Sequence, residues 1–258
     1  MESDPKSSSF DTGSKVKDKK PSKLIIHWPS LGIGVGITIA CIFCGIIIAN
    51  TINIGSTQTL DEIIITDINA AKKPTISSFY DNASPLLGNP NASITMVEFG
   101  DYQCTFCNKF FHETEESIVE NYVKTGKVKM LFKDFVVVSE DSINAANAAH
   151  CANDQKMFWE YHATLYNNWD GEGTGWASSD HLHRFADVLG LDMNRFSKCM
   201  DESKWKGLVD SSQKDGRTLG VTATPTFFVI DENNNVLKIT GAQHYDVFEE
   251  VFNSLLEN

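Results

Sequence analysis

The apolar positions of residues 88–258 follow two kinds of pattern. Short β-rich runs, which predict buried strands, cover 94–99, 128–138, 226–230 and 236–240. Longer amphipathic stretches, which predict helices, cover 104–123, 143–166, 179–189, 192–200, 204–219 and 245–256. The order is β-α-β, a block of helices over about 140–200, and then α-β-β-α. This pattern predicts one α/β domain over 88–258 that contains a helical insertion.

A different pattern lies near the amino terminus, where residues 31–49 are apolar except for Thr38. Nineteen helical residues span roughly 28 Å, which is close to the hydrocarbon thickness of a bilayer. Trp28 precedes the run at a place where an aromatic ring favours the membrane interface. The pattern predicts a transmembrane anchor over 24–50, which makes the chain a single-pass protein of the cell membrane.

The distribution of charge gives the anchor an orientation. Residues 1–23 hold six lysines and four acidic residues, whereas the whole chain has a formal net charge of −12. By the positive-inside rule, 1–23 is a cytoplasmic tail and 51–258 is extracytoplasmic, with 51–87 as a tether. A cleavable signal peptide is the alternative, although the leader is long and no small-x-small site follows it. The acidic balance of the extracytoplasmic part argues against a nucleic-acid partner.

The clearest chemical motif is the pair Cys104 and Cys107, separated by Thr105 and Phe106. The motif follows a predicted strand and opens a predicted helix, so Cys104 lies where free N–H groups and the helix dipole favour a thiolate. Cys107 lies one turn further on, within reach of a disulfide. We therefore interpret Cys104 as the attacking thiol and Cys107 as the resolving thiol of a redox-active pair.

Other uses of this motif fit the sequence less well. A structural zinc site needs four ligands, and no second C-x-x-C pair follows at a suitable spacing. Haem attachment needs a histidine at position 108, which is asparagine. We predict neither a metal nor a cofactor. Cys41 and Cys44 lie inside the predicted anchor and are interpreted as small apolar residues of that span, with a dimer-linking or redox role as the alternative.

Two segments carry a resemblance to a known family: MVEFGDYQCTFC at 96–107 and VTATPTFFV at 221–229. Together they resemble the DsbA-like branch of the thioredoxin superfamily, over roughly 84–258. The resemblance implies a thioredoxin-like fold with a helical insertion, and protein thiol–disulfide oxidoreductase activity. The chain departs from the family at Thr105, where many members have proline, and this puts its strength as an oxidant in question.

The resemblance also implies roles for residues outside the motif. Pro225 takes the position of a cis-proline that faces the dithiol, which leaves Thr224, together with Thr105 and Phe106, to contact substrate. A trans proline before a strand is the alternative. Glu98 takes the position of a buried acid that exchanges a proton with the resolving thiol, unless it faces outward from its strand. Lys133 is a candidate counter-charge for Glu98, with solvent exposure as the alternative.

Two further features are open at the level of sequence. Cys151 and Cys199 are expected to form a structural disulfide in an oxidising compartment, with two buried free thiols as the alternative. The glycine-rich stretch 169–176 has two carboxylates, Asp170 and Glu172. It is interpreted as a flexible loop, because a calcium site needs more oxygen ligands.

Three functions are compatible with these residues. The first is oxidation of thiols in exported proteins, followed by reoxidation by a membrane partner of the DsbB or vitamin K epoxide reductase type, which the resemblance implies. The second is disulfide reduction or isomerisation. The third is a binding module that kept the fold without the chemistry.

Overall fold

The computed structural model describes residues 75–257, and its strands and helices follow the predicted order. The strands are β1 (Ile94–Gly100), β2 (Val128–Asp134), β3 (Thr226–Ile230) and β4 (Val236–Thr240). The helices are α1 (Ser77–Tyr80), α2 (Thr105–Phe110), α3 (Glu116–Ile118), α4 (Glu140–Asn153), α5 (Phe158–Asn167), α6 (Ser179–Val188), α7 (Met193–Asp201), α8 (Lys206–Thr218) and α9 (Tyr245–Leu256).

A four-stranded sheet in the order β2-β1-β3-β4 forms the centre of the domain. β2 is parallel to β1, whereas β3 is antiparallel to both β1 and β4. Every residue of β1 is buried, because apolar side chains pack on both faces of the sheet. The predicted α/β fold is therefore confirmed, and α4–α7 form the helical insertion.

The helix that follows β1 is irregular. It runs as α2, then as a π-helical segment Phe111–Glu115, then as α3, and ends in a second π-helical segment, Val119–Val123. A π segment holds an extra residue in its turn, so it rotates the side chains that follow relative to a regular α-helix. Glu115, a buried residue, lies in the first π segment.

Two predicted boundaries were wrong. The second strand ends at Asp134 and not at 138, because the N–H groups of Val137 and Val138 donate to the Asp101 carboxylate at 2.8 and 2.9 Å. The predicted helix over 143–166 is two helices, α4 and α5, separated by a turn in which Lys156 has a φ of 68°.

The end of the predicted tether packs against the sheet. Phe79 of α1 is buried against Phe228, with 5.1 Å between ring centroids. Leu87 exchanges two backbone hydrogen bonds of 2.9 Å with Met130 of β2. The predicted cytoplasmic tail, the predicted anchor and its two cysteines lie outside the described residues. Within 75–257, no helix has the length and apolar character needed to cross a membrane.

Candidate active site

The two cysteines of the C-x-x-C motif lie at the junction between β1 and α2. Cys104 is the residue before α2, with extended backbone angles (φ −67°, ψ 125°), and Cys107 lies in its first turn. Asp101 stabilises this junction with two hydrogen bonds. Its backbone oxygen accepts the Cys104 N–H at 3.0 Å, and its carboxylate accepts the Gln103 N–H at 2.8 Å. Both cysteines are free thiols, of which Cys104 is 6% exposed and Cys107 is 0% exposed.

The surroundings shift the acidity of the two thiols in opposite directions. The pKa of Cys104 is lowered to about 6, chiefly by a hydrogen bond from the Cys107 side chain. Burial alone would raise this pKa. Hydrogen bonds from Thr224 and from the backbone N–H groups of Phe106 and Cys107 add to the lowering, so that the net shift is downward. The pKa of Cys107 is raised well above its usual value by burial and by the neighbouring Cys104. Near neutral pH, Cys104 is therefore a thiolate and Cys107 keeps its proton.

The loop before β3 lies against Cys104. The Thr224–Pro225 peptide bond is cis, and the Thr224 carbonyl oxygen is 3.5 Å from the Cys104 sulfur. Of the two residues that follow Cys104, Phe106 is 60% exposed, which is unusual for a phenylalanine, and Thr105 is also exposed. The structure thus brings Thr224, Thr105 and Phe106 together around one thiol.

Comparisons with known proteins agree with this arrangement. A family model described as thioredoxin matches residues 81–251. Disulfide bond formation protein D of Bacillus subtilis is 26% identical over 176 residues, which are 67% of this chain and 77% of that protein. The chain belongs to the DsbA-like branch of the thioredoxin superfamily. It is a thiol–disulfide oxidoreductase.

Solved structures show the same likeness. The crystal structure of oxidised BdbD from Bacillus subtilis has a TM-score of 0.62 at 25% identity, over 72% of this chain and 96% of that one. Wolbachia pipientis alpha-DsbA1 has a TM-score of 0.60 at 26% identity, over 66% of this chain and 89% of that one. Both similarities extend over most of the DsbA-like domain described above.

Glu98 lies inside this DsbA-like domain and not on its surface. It is 2% exposed, and its Oε1 has no hydrogen-bond partner among the described residues. Burial raises its pKa well above the usual value, and the charges of Glu115 and Cys104 raise it further. Because both faces of β1 are covered, the outward-facing alternative for Glu98 is wrong. The side chain therefore keeps its proton to a higher pH than an ordinary carboxyl group.

Lys133 is not the counter-charge of Glu98. In the register of β1 and β2, Lys133 pairs with Phe99, the residue after Glu98, so its side chain points to the opposite face of the sheet. There it is fully buried and forms an ion pair of 2.8 Å with Asp215. Solvent exposure, the alternative interpretation of Lys133, is therefore also wrong.

A second buried acid, Glu115, was missed by the sequence analysis. Burial raises its pKa to about 8, and its Oε1 is 4.0 Å from Nε2 of His162. Burial also lowers the pKa of His162 to about 3, so this histidine is neutral and does not compensate the acid. Glu115 lines a surface cleft of about 330 Å³, which connects it to solvent. No sequence signal marked it, because a glutamate in an amphipathic helix is usually exposed.

Cys151 of α4 and Cys199 of α7 form a disulfide in the structure, with an S–S distance of 2.02 Å. Both are buried in the same apolar cluster that contains Cys104 and Cys107. Within 75–257, no group of three or more His, Cys, Asp or Glu side chains is arranged to hold a metal ion.

Proposed function

We propose that this oxidoreductase introduces disulfide bonds into exported proteins, and that it does so from the extracytoplasmic face of a cell membrane. The observation that carries the proposal is the asymmetric dithiol, with an acidic thiol at Cys104 and a buried, protonated thiol at Cys107. The name of the Bacillus subtilis relative supports the direction of the reaction. The location rests on the apolar sequence 31–49 and on the lysines that precede it.

The reaction is a pair of thiol–disulfide exchanges. A substrate thiolate attacks the Cys104 sulfur of the oxidised enzyme, which forms a mixed disulfide and releases Cys107. A second substrate thiolate then attacks the substrate sulfur of that mixed disulfide, which forms the substrate disulfide and releases Cys104. Release is favourable because a thiol with a pKa of about 6 is a good leaving group. One disulfide is lost from the enzyme and one is gained by the substrate.

The enzyme leaves this cycle with two thiols and needs an oxidant. We assign that role to a quinone-linked membrane protein of the DsbB or vitamin K epoxide reductase type, which takes two electrons and two protons from the dithiol. The substrates are exported proteins that carry paired thiols. Thr224 and Phe106 are the residues that contact them, because the Thr224 carbonyl oxygen is 3.5 Å from the Cys104 sulfur and Phe106, two residues after Cys104, is exposed.

Glu98 supplies a proton during the first exchange. Cys107 departs as a thiolate in a buried setting, where a charge is costly. The raised pKa of Glu98 lets it keep a proton to a higher pH than an ordinary carboxyl group, and it lies close enough to Cys107 for its charge to raise the pKa of that thiol. Glu115, which is also buried and acidic, connects this region with the surface cleft.

Replacing Glu98 with glutamine is expected to slow mixed-disulfide formation by about 10²-fold near pH 7, because glutamine resembles the neutral acid in shape but has no proton to give. In the wild type the rate falls as the pH rises through the raised pKa of Glu98, and in the variant this dependence is lost. Stopped-flow mixing of oxidised enzyme with a thiol peptide measures both effects. Glu116→Gln, an exposed change on the neighbouring helix, is the matched control. Equal rates for Glu98→Gln and wild type would exclude the proton-transfer role.

Titration of the reduced enzyme tests the dithiol chemistry directly. We expect alkylation of Cys104 to follow a thiolate fraction with a midpoint near pH 6, because hydrogen bonds lower the pKa of this thiol. Cys107 stays unmodified over the same range, because its pKa is raised and its side chain is buried. Mass spectrometry of the alkylated protein separates the two sites. A midpoint near the usual value for cysteine would refute the proposal.

Reduction and isomerisation are the competing directions for the same dithiol. Equilibration with glutathione separates them: a reduction potential above about −150 mV favours an oxidase, and one below about −250 mV favours a reductase. Rapid alkylation in intact cells adds a second criterion. An oxidase is kept in the disulfide form, whereas a reductase or isomerase is kept as the dithiol.

A further inference from the structure

The acidic glycine-rich loop at 169–176 contacts the start of the active-site helix. Oε1 of Glu172 accepts two hydrogen bonds from Thr105, one from the backbone N–H at 2.9 Å and one from the hydroxyl at 2.9 Å. Thr105 directly follows Cys104. A carboxylate from this loop therefore contacts the residue that follows the attacking thiol.

Two more hydrogen bonds hold the loop in this position. The N–H of Gly173 donates to Oε1 of Gln103 at 2.9 Å, and Nε1 of Trp169 donates to the backbone oxygen of Gln103 at 2.9 Å. The residues before and after Cys104 are thus bound to the same loop. These hydrogen bonds to Gln103 and Thr105 fix the position of the Glu172 carboxylate.

Threonine at position 105 makes the contact with Glu172 possible. Proline, which many members of the family have after the first cysteine, has neither a backbone N–H nor a hydroxyl, so it could make neither hydrogen bond. The contact between the acidic loop and the active-site helix therefore depends on the presence of threonine at position 105.

We propose that Glu172 is a positioning residue that makes the dithiol less oxidising than it would be without this contact. The inference rests on the proposed function, in which Cys104 is the attacking thiol. The carboxylate accepts the Thr105 N–H and places a negative charge on the residue that directly follows Cys104. A like charge makes the Cys104 thiolate less favourable, which destabilises the reduced enzyme relative to its disulfide.

The expected size of the effect is that of repulsion between two nearby charges, one of which is exposed to solvent. Such repulsion changes a pKa by about 0.5 to 1. Such a change in the stability of the thiolate changes the redox equilibrium constant by about 3- to 10-fold.

The test uses the full chain and the substitution Glu172→Gln. We expect the pKa of Cys104 to fall by about 0.5 to 1, and the equilibrium constant for reduction by glutathione to rise by about 3- to 10-fold. Asp170→Asn is the matched control. It removes the same charge from the same loop, at an exposed carboxylate that has no hydrogen bond or ion pair within the described residues.

A double-mutant cycle with Thr105→Pro separates the contact from the overall charge. Because proline removes both donors, Glu172→Gln is expected to change neither the pKa nor the equilibrium constant in the Thr105→Pro background. An effect of equal size in both backgrounds, or an equal effect of Asp170→Asn, would overturn the inference.

The remaining outcomes distinguish this inference from the proposed function. If Cys104 of the wild type titrates near pH 6 but Glu172→Gln changes nothing, the inference fails and the proposed function stands. If Cys104 of the wild type titrates like an ordinary cysteine, the proposed function fails, and the inference that rests on it fails with it.

Discussion

The Cys104→Ser variant is expected to lose thiol–disulfide exchange, by at least about 10³-fold. Serine cannot form a disulfide, and Cys107 cannot replace the missing thiol because it is fully buried and its pKa is raised. Oxidation of a reduced, unfolded protein by stoichiometric enzyme measures the loss. The complementary variant, Cys107→Ala, keeps the attacking thiol but has no resolving thiol, so it is expected to accumulate mixed disulfides with its substrates.

The chain contains its own control for these substitutions. Cys41 and Cys44 form a second C-x-x-C pair with the same spacing, inside the predicted anchor. The double variant Cys41→Ser/Cys44→Ser is expected to keep full exchange activity. If Cys104→Ser keeps exchange activity, or if Cys41→Ser/Cys44→Ser loses it, the chemistry belongs to another pair of cysteines. Mass spectrometry of the trapped complexes identifies both the bonded cysteine and the substrate.

The parts of the fold that the sequence predicted best are those specified by local patterns. The hairpin of β3 and β4 and the last helix, α9, have the same bounds in the structure as in the prediction. Each is an uninterrupted apolar or amphipathic run between polar turns. Of the two wrong boundaries, the end of β2 depends on a tertiary contact with the distant carboxylate of Asp101, and the break between α4 and α5 depends on a single turn.

The same holds for the active site: the sequence predicts features set by neighbouring residues, and it does not predict contacts between residues far apart in the chain. The C-x-x-C pair after a strand is a local signal, so the sequence located it directly. The contact between Thr105 and Glu172 joins residues 67 positions apart, and no periodicity could indicate it. Glu115 was missed because a glutamate in an amphipathic helix is usually exposed, and its burial depends on distant residues that pack around it. Lys133 was assigned to the wrong partner because the register of β1 and β2, which pairs it with Phe99 and not with Glu98, is set by tertiary structure.

The disulfide between Cys151 and Cys199 is expected to make a large contribution to stability. Its two cysteines are 48 residues apart, and closing a loop of that size is worth about 4 kcal/mol in the chain-entropy model. The variant Cys151→Ala/Cys199→Ala is therefore expected to lose up to about 4 kcal/mol in the free energy of unfolding, and about 10 °C in Tm. Urea unfolding of the protein, followed by circular dichroism, measures the loss.

The same variant links stability to the place where the protein works. If this disulfide stabilises α4 and α7, the domain reaches full stability only in a compartment where thiols become oxidised, as the proposed extracytoplasmic location requires. Wild-type protein in which this bond alone is reduced is expected to unfold at the same urea concentration as the double variant. A loss below about 1 kcal/mol would contradict a structural role, because a buried loop closure of this length is expected to give more. Exchange activity of the folded variant serves as the control, since Cys104 and Cys107 are unchanged.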